Sequence, residues 1–280
     1  MAKGGLQDWI GRTAEAEDVV TPQLVASFRA TFGPHLAPSD DPVAPPGLHW
    51  CLAPEAVETS RLGPDGHPAK GDFLPLVPLP RRMWAGGELT LFAALRVNDR
   101  VRRRSTIEAI VEKHGKSGPL CFVTVLHELE NDSGPVLNER HAIVYREAGP
   151  LLQEAGSADR KASPGFIGGV QEVTVDPVFL FRYSALTFNG HRIHYDAPYA
   201  TQTEGYTGLV IHGPLQATLL LNRAAAIAQR SLQKFSYKAV SPAVGCQTLR
   251  AGATAIHRNQ VSLAIEAENG RATMRATAGW

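Results

Sequence analysis

Residues 215–232 limit what this chain can become more than any other stretch. Leu219, Leu220, Leu221, Ala224, Ala225, Ile227 and Ala228 leave the segment apolar nearly all round. Gly213-Pro214 stands just before it, with proline suited to a first helical position. A helix without a polar face belongs in a core rather than on a surface. The residues that follow supply the cover. Segments 235–240, 247–255, 261–267 and 271–278 read as strands, and Asn269-Gly270 between the last two is the strongest two-residue hairpin signal. The expectation is an antiparallel sheet wrapped round a buried helix.

The first half repeats this order more faintly. Thr21 is a helix N-cap and Pro22 a first helical residue. Leu24, Val25, Phe28 and Phe32 are its apolar positions, and Gly33-Pro34 ends it. Residues 34–80 are rich in proline and glycine, and a long irregular segment inside a domain is often functional. Strands are expected at 89–97, 101–113, 120–127 and 142–145, separated by turns at 98–99, 115–118 and 131–134. Each half is thus a leading segment with a helix, then an antiparallel meander, which makes a duplicated α+β unit. Residues 149–169 are polar and small, so the expected division is 1–150, a linker at 151–170, and 171–280. In the second part 171–175 is a strand, and Asp176-Pro177 opens a helix through Phe179, Leu180 and Tyr183.

Charge and cysteine content narrow the function classes. With 28 basic and 27 acidic residues the net charge is +1, which argues against nucleic-acid or membrane-surface binding. Arg81-Arg82 and Arg102-Arg103-Arg104 are local clusters, more often solvated surface than phosphate anchors. Cys51, Cys121 and Cys246 lack CxxC spacing, so neither a disulfide framework nor a structural zinc site is expected. Reduced thiols suit a cytoplasmic protein. Residues 1–10 carry no secretory signal, and no apolar run is long enough to span a bilayer.

Titratable side chains are densest at residues 187–196, Thr-Phe-Asn-Gly-His-Arg-Ile-His-Tyr-Asp. His191 and His194 lie three apart, Asn189 precedes them and Asp196 follows, all flanked by Leu186, Phe188, Ile193 and Tyr195. A partly dry pocket tunes imidazole for proton transfer. The Asn189 amide can hold a water or a carbonyl oxygen. The N–H of Gly213, at the positive end of a buried helix, is a natural oxyanion site for a thioester carbonyl. Blander roles stand beside these. A His-x-x-His pair can bind metal or simply pack, and no third ligand is near in sequence. Asp196 can cap a turn before Pro198, His212 can be a satisfied core histidine, and Tyr183 and Phe188 can be plain core.

Residues 181–196, followed by Ile211-His-Gly-Pro-Leu-Gln216, resemble the MaoC-like hydratase and dehydratase family. More narrowly they resemble the branch of mesaconyl-C4-CoA hydratase and the mitochondrial-type hydroxyacyl thioester dehydratases. Residues 73–87, 95–97 and 116–120 are similar to that branch's N-terminal domain. The resemblance implies an α+β double hotdog, two antiparallel sheets each wrapping a long central helix, with the N-terminal half non-catalytic. It implies a CoA or acyl-carrier thioester as substrate, reversible addition of water across the 2,3 double bond, and no redox or metal cofactor. The wider family pairs an Asp with a His five residues on, whereas Asn189 stands here five before His194. An amide is no general base, so the proton work falls to His194, with Asn189 orienting the water and His191 fixing the ring or sharing the proton. Gly213, His212, Tyr183 and Arg192 form the expected substrate-binding set. Arg81, Arg82 and Trp84 are expected at the entrance, facing CoA phosphates or a substrate carboxylate. The leading expectation is a short-chain enoyl-CoA hydratase of the mesaconyl-C4-CoA type. A 3-hydroxyacyl thioester dehydratase of fatty acid synthesis, an acyl-CoA thioesterase and a non-enzymatic acyl-CoA-binding protein are the alternatives, and a homodimer is compatible with all of them.

Overall fold

The computed structural model describes residues 5–115, 118–147 and 165–280. The first half runs β1 (Thr13–Val19), α1 (Pro22–Phe32), β2 (Arg81–Leu91), β3 (Arg100–Gly115), β4 (Gly118–Asn131) and β5 (Gly134–Arg146). The second runs β6 (Ile167–Val175), α2 (Pro177–Leu186), α3 (Gly213–Ala228), β7 (Lys234–Ala239), β8 (Gln247–His257), β9 (Gln260–Glu266) and β10 (Ala272–Gly279). Both halves begin alike, because the same capping chemistry follows each first strand. The Thr21 hydroxyl accepts from the Leu24 N–H at 3.0 Å, and the Asp176 carboxylate accepts from the Phe179 N–H at 2.7 Å. Each cap satisfies one donor that the helix start leaves unpaired, and proline takes the next position without losing a bond.

The described strands form one ten-stranded sheet, in the order β1-β3-β4-β5-β2-β7-β10-β9-β8-β6. Within each half the order is first, third, fourth, fifth, second, so the duplication expected from the sequence is present in the topology. The expectation of two sheets is corrected. β2 and β7 pair antiparallel from Gly86↔Lys238 to Thr90↔Lys234, which joins the halves edge to edge. Pairing removes two edges that would otherwise expose unsatisfied backbone.

α3 lies against β8, β9 and β10. Leu215, Leu219, Leu220 and Leu221 are at most 1% exposed. Each such side chain contributes about 1.5–3 kcal/mol of burial free energy. The polar residues of this helix are buried with partners. Gln216 accepts from the Thr273 hydroxyl at 2.6 Å, and the Asn222 amide donates to the Pro46 carbonyl at 2.8 Å. A second long central helix is absent among the described residues of the first half, whose longest helix is the 11-residue α1. Where the second half places α3, the first has the irregular 33–80 region and a short 3₁₀ turn at Leu48–Cys51. Proline spacing there interrupts any regular hydrogen-bonding run. α1 packs instead on α2, with Phe32 edge-on to Phe179 at 5.4 Å and to Tyr183 at 5.7 Å.

Several boundaries also differ, β5 among them, which starts at Gly134 rather than at 142. β2 starts at Arg81 and ends at Leu91, so 92–97 is not strand, because the chain leaves the sheet once β2 has paired with both β5 and β7. β1 is an added strand. Its small and acidic residues hid it, and its pairing with β3 gives the arginine cluster partners, Arg102 with Glu17 and Arg104 with Glu15. β6 begins at Ile167, inside the expected linker; the rest of that linker, up to residue 164, lies outside the described residues.

Candidate active site

The loop after α2 holds the two histidines. The helix ends at Thr187, and Phe188 takes φ +50°, a left-handed conformation uncommon for a bulky side chain. That turn lets the Asn189 N–H donate to the Ser184 carbonyl at 2.9 Å, while its side-chain oxygen accepts from the His191 N–H at 3.0 Å. Asn189 therefore shapes the loop as well as facing the cavity described below. A 3₁₀ turn at Arg192–His194 then turns His194 inward.

His194 is buried and its Nδ1 lies 2.6 Å from the Val210 carbonyl. A carbonyl only accepts, so Nδ1 carries the proton and Nε2 holds the lone pair. Burial lowers the His194 pKa to about 4, against the opposing effect of the Val210 carbonyl. The ring is thus a neutral base at pH 7. His212 stacks on it at 3.6 Å and 20°, and the Ser184 hydroxyl lies 2.9 Å from the Nε2 of His212. His191 meets His194 edge-on at 5.3 Å, and burial foremost lowers its pKa to about 2.

Beyond His191 the chain of rings continues into the first half, through residues the sequence reading did not single out. His67 lies 4.0 Å from His191, and its Nδ1 is 2.9 Å from the Asp65 carboxylate. Burial raises the Asp65 carboxyl, but hydrogen bonds from the His67 ring and backbone outweigh it and hold the group below the usual carboxylate range. This loop docks directly on the histidine loop. The Arg192 N–H donates to the Asp65 carbonyl at 2.9 Å, and a Cβ on Gly190 would sit 2.7 Å from the Gly66 carbonyl oxygen. Only glycine permits so close a backbone approach. The available signal was Asp65-Gly66-His67, a turn sequence with a histidine in the irregular segment. Donor atoms of Asp65, His67 and His191 lie within 4.8 Å of one another, a set able to hold a metal ion. The Asp65–His67 hydrogen bond accounts for that pair's geometry without one.

The remaining candidates divide. Gly213 starts α3, and the Trp84 ring covers it so closely that a Cβ would meet the indole, 3.1 Å from Cζ3. Trp84 is half-buried and stacks on Tyr237 at 4.5 Å. Tyr183 is buried, with its ring 5.0 Å from His212. Arg192 is committed to Asp196, at 2.7 and 3.0 Å, and lies over the Tyr199 ring. Asp196 also caps the next turn through the Tyr199 N–H. Arg81 is taken up by Glu204, through the carboxylate at 3.3 Å and the backbone carbonyl at 2.9 Å. Arg82 is half-buried, and its charge helps to lower the pKa of His67.

A cavity of about 250 Å³ lies between the halves, with Asn189, Tyr183 and Pro214 on one wall and Trp84, Glu139 and His141 on the other. The Glu139 carboxylate accepts from the Trp50 indole N–H at 3.1 Å and from the Tyr237 hydroxyl. Burial raises its pKa. All three cysteines are free thiols. No described helix is long and apolar enough to cross a membrane.

Known proteins share this fold. HtdX of Mycobacterium tuberculosis superposes with a TM-score of 0.69 at 18% identity, over 96% of this chain and all of that one. A conserved hypothetical protein of the same organism, described as a double hotdog fold, superposes with a TM-score of 0.59 at 16% identity, over 99% of this chain and 98% of its own. The second likeness identifies the fold as hotdog. In sequence, the mesaconyl-C(4)-CoA hydratase of Chloroflexus aurantiacus is 40% identical over 243 residues, 86% of each chain. Residues 47–245, which include His67, His191, His194 and His212, match the sequence model of hydroxyacyl-thioester dehydratase type 2. The chain belongs to the hydroxyacyl-thioester dehydratase type 2 family.

Proposed function

We propose that this protein reversibly hydrates a short, branched 2-enoyl-CoA of the mesaconyl-C4-CoA type, with His194 as the acid/base. The observation that carries the reading is the His194 ring itself. It is neutral, buried, and locked by Val210 so that Nε2 is its lone-pair nitrogen. Nε2 takes a proton from a water oriented by Asn189, and the hydroxide oxygen bonds to C3 of the enoyl group. The C2–C3 π electrons move toward the thioester, whose oxygen gains charge beside the N–H of Gly213. The first N–H groups of a helix have no intrahelical partner and sit at its positive end. Protonation at C2 completes the 3-hydroxyacyl product and returns the imidazole to its neutral state. His191 and His212 border the ring and keep its orientation. Tyr183, Arg192, Arg81, Arg82 and Trp84 shape the binding region around it, with no redox or metal step needed.

The same site run backward is a 3-hydroxyacyl thioester dehydratase, the activity that names the matching family. A thioesterase would release free CoA, and a binding protein would change neither the enoyl thioester absorbance nor the thiol content. A cytosolic setting is consistent with three free thiols. The test is to follow enoyl thioester absorbance and thiol release together. Loss of absorbance without thiol is the expected result, and His194→Ala is expected to slow it by about 10²–10⁴-fold, the usual contribution of a positioned acid/base. Near-normal turnover by that variant would remove His194 from this role.

A further inference from the structure

The inner face of the first half carries a polar belt that the chemistry above does not use. Along β5 the inward positions are Leu137, Glu139, His141, Ile143 and Tyr145. Ser105, His127 and Glu139 face one another in register across β3, β4 and β5, with Arg103 and His141 alongside. Apolar residues close it on either side, Leu129 and Leu137 toward one end and Val125 and Ile143 toward the other. His49 reaches the belt from the 3₁₀ turn that stands where the other half has its long helix. A full helix there would fill this space. Its absence leaves the 250 Å³ cavity, whose far wall is Asn189 and Pro214.

Three nitrogens of cavity-lining residues are buried and have no hydrogen-bond partner: Nε2 of His49, Nε2 of His141 and Nε of Arg103. The rest of the Arg103 guanidinium is fixed, donating to the Leu52 carbonyl at 3.2 Å and the Ala53 carbonyl at 2.5 Å. Its Nε can only donate. Leaving a buried donor unmade costs about 1–3 kcal/mol, so such a group calls for an acceptor. Glu139 bonds Trp50 and Tyr237, and no hydrogen bond joins it to these three nitrogens. A bound carboxylate supplies an acceptor, because its two oxygens accept several hydrogen bonds and donate none.

We infer that His49, His141 and Arg103 form a receptor for a carboxylate carried on the acyl group of the substrate. This rests on the hydratase reading and deepens it, since it places an acid group of the enoyl chain next to the reacting carbons rather than on the CoA. It also explains why the belt lies on the wall opposite Asn189. A long acyl chain has another route. A more apolar groove of about 710 Å³ adjoins the cavity and shares His49 and Leu137 with it.

The experiment compares kcat/KM for three probes: mesaconyl-C4-CoA, its uncharged analogue 3-methylcrotonyl-CoA, and 2-decenoyl-CoA. Wild type is expected to prefer mesaconyl-C4-CoA over the analogue by about 100-fold, since charge-assisted hydrogen bonds contribute about 1.5–3 kcal/mol each. His49→Leu and His141→Leu are each expected to cut that preference by about ten-fold or more, mainly through KM. His141→Gln, which keeps an N–H donor, is expected to retain most of it, and its circular dichroism controls for folding. Equal handling of the two short probes, or a preference that survives both leucine variants, overturns the receptor while leaving the hydratase reading intact, and a preference for the decenoyl chain overturns the receptor together with the short-chain reading. Hydration of none of the three overturns both.

Discussion

Acid should unfold this protein unusually early, because its buried histidines are held neutral. Burial is the first cause of the lowered pKa of His49 and His141, to about 3, of His191, to about 2, and of His194, to about 4. In the unfolded chain each returns to about 6.5. Between those values the unfolded state binds more protons than the folded one, so stability is complete above pH 6.5 and is lost as pH falls toward the folded pKa. Lowering the pH from 7.5 to 5.5 costs a little over 1 kcal/mol per group, about 5 kcal/mol for the four. His127 and His212, also held well below the ordinary value by burial, add to this. Glu139, whose pKa is raised by burial, works in the opposite sense and offsets a part. The total is comparable to the whole stability of an ordinary domain, about 5–15 kcal/mol. Urea denaturation at pH 7.5, 6.5 and 5.5 and constant ionic strength measures it. His141→Leu should flatten the dependence by about one histidine's share. A wild-type free energy that changes by less than about 1 kcal/mol over this range would refute the reasoning, since neutral burial of these rings requires the loss.

Other consequences are separately measurable. Rates taken before acid unfolding sets in should stay level from pH 8 to 5 and fall as His194 titrates near 4, because only its neutral form accepts the proton. Gly213→Ala should destabilise the fold by about 1–3 kcal/mol through overpacking against Trp84, and Trp84→Leu in the same chain should recover part of that loss in thermal melts. Asp176→Ala removes the cap on the Phe179 N–H and should cost about 1 kcal/mol, read as a lower urea midpoint at unchanged slope. Gly190→Ala must part the histidine loop from the Gly66 backbone and should lower turnover more than it lowers the melting temperature.

Local chemistry made much of this protein legible without coordinates. The apolar run of α3, the Thr21-Pro22 and Asp176-Pro177 helix starts and the Asn269-Gly270 turn act over a few residues, so each element appears where its sequence places it. The same holds for the density of polar groups from Asn189 to His194, which marked the site loop. Only 142–145 of β5 reads as strand from the sequence, so the inward face that carries Glu139 and His141 is not legible there. What no window of sequence contains is contact across the chain. Pairing of β2 with β7 made one sheet of two expected ones, because strand edges close on whichever partner packing brings near. The same association set Asp65 and His67 against His191, more than a hundred residues away, and laid Trp84 on Gly213. The residue types at the site were therefore determined locally. Their burial, and with it their protonation, came only from the tertiary structure, since desolvation depends on what covers a group rather than on its neighbours in sequence.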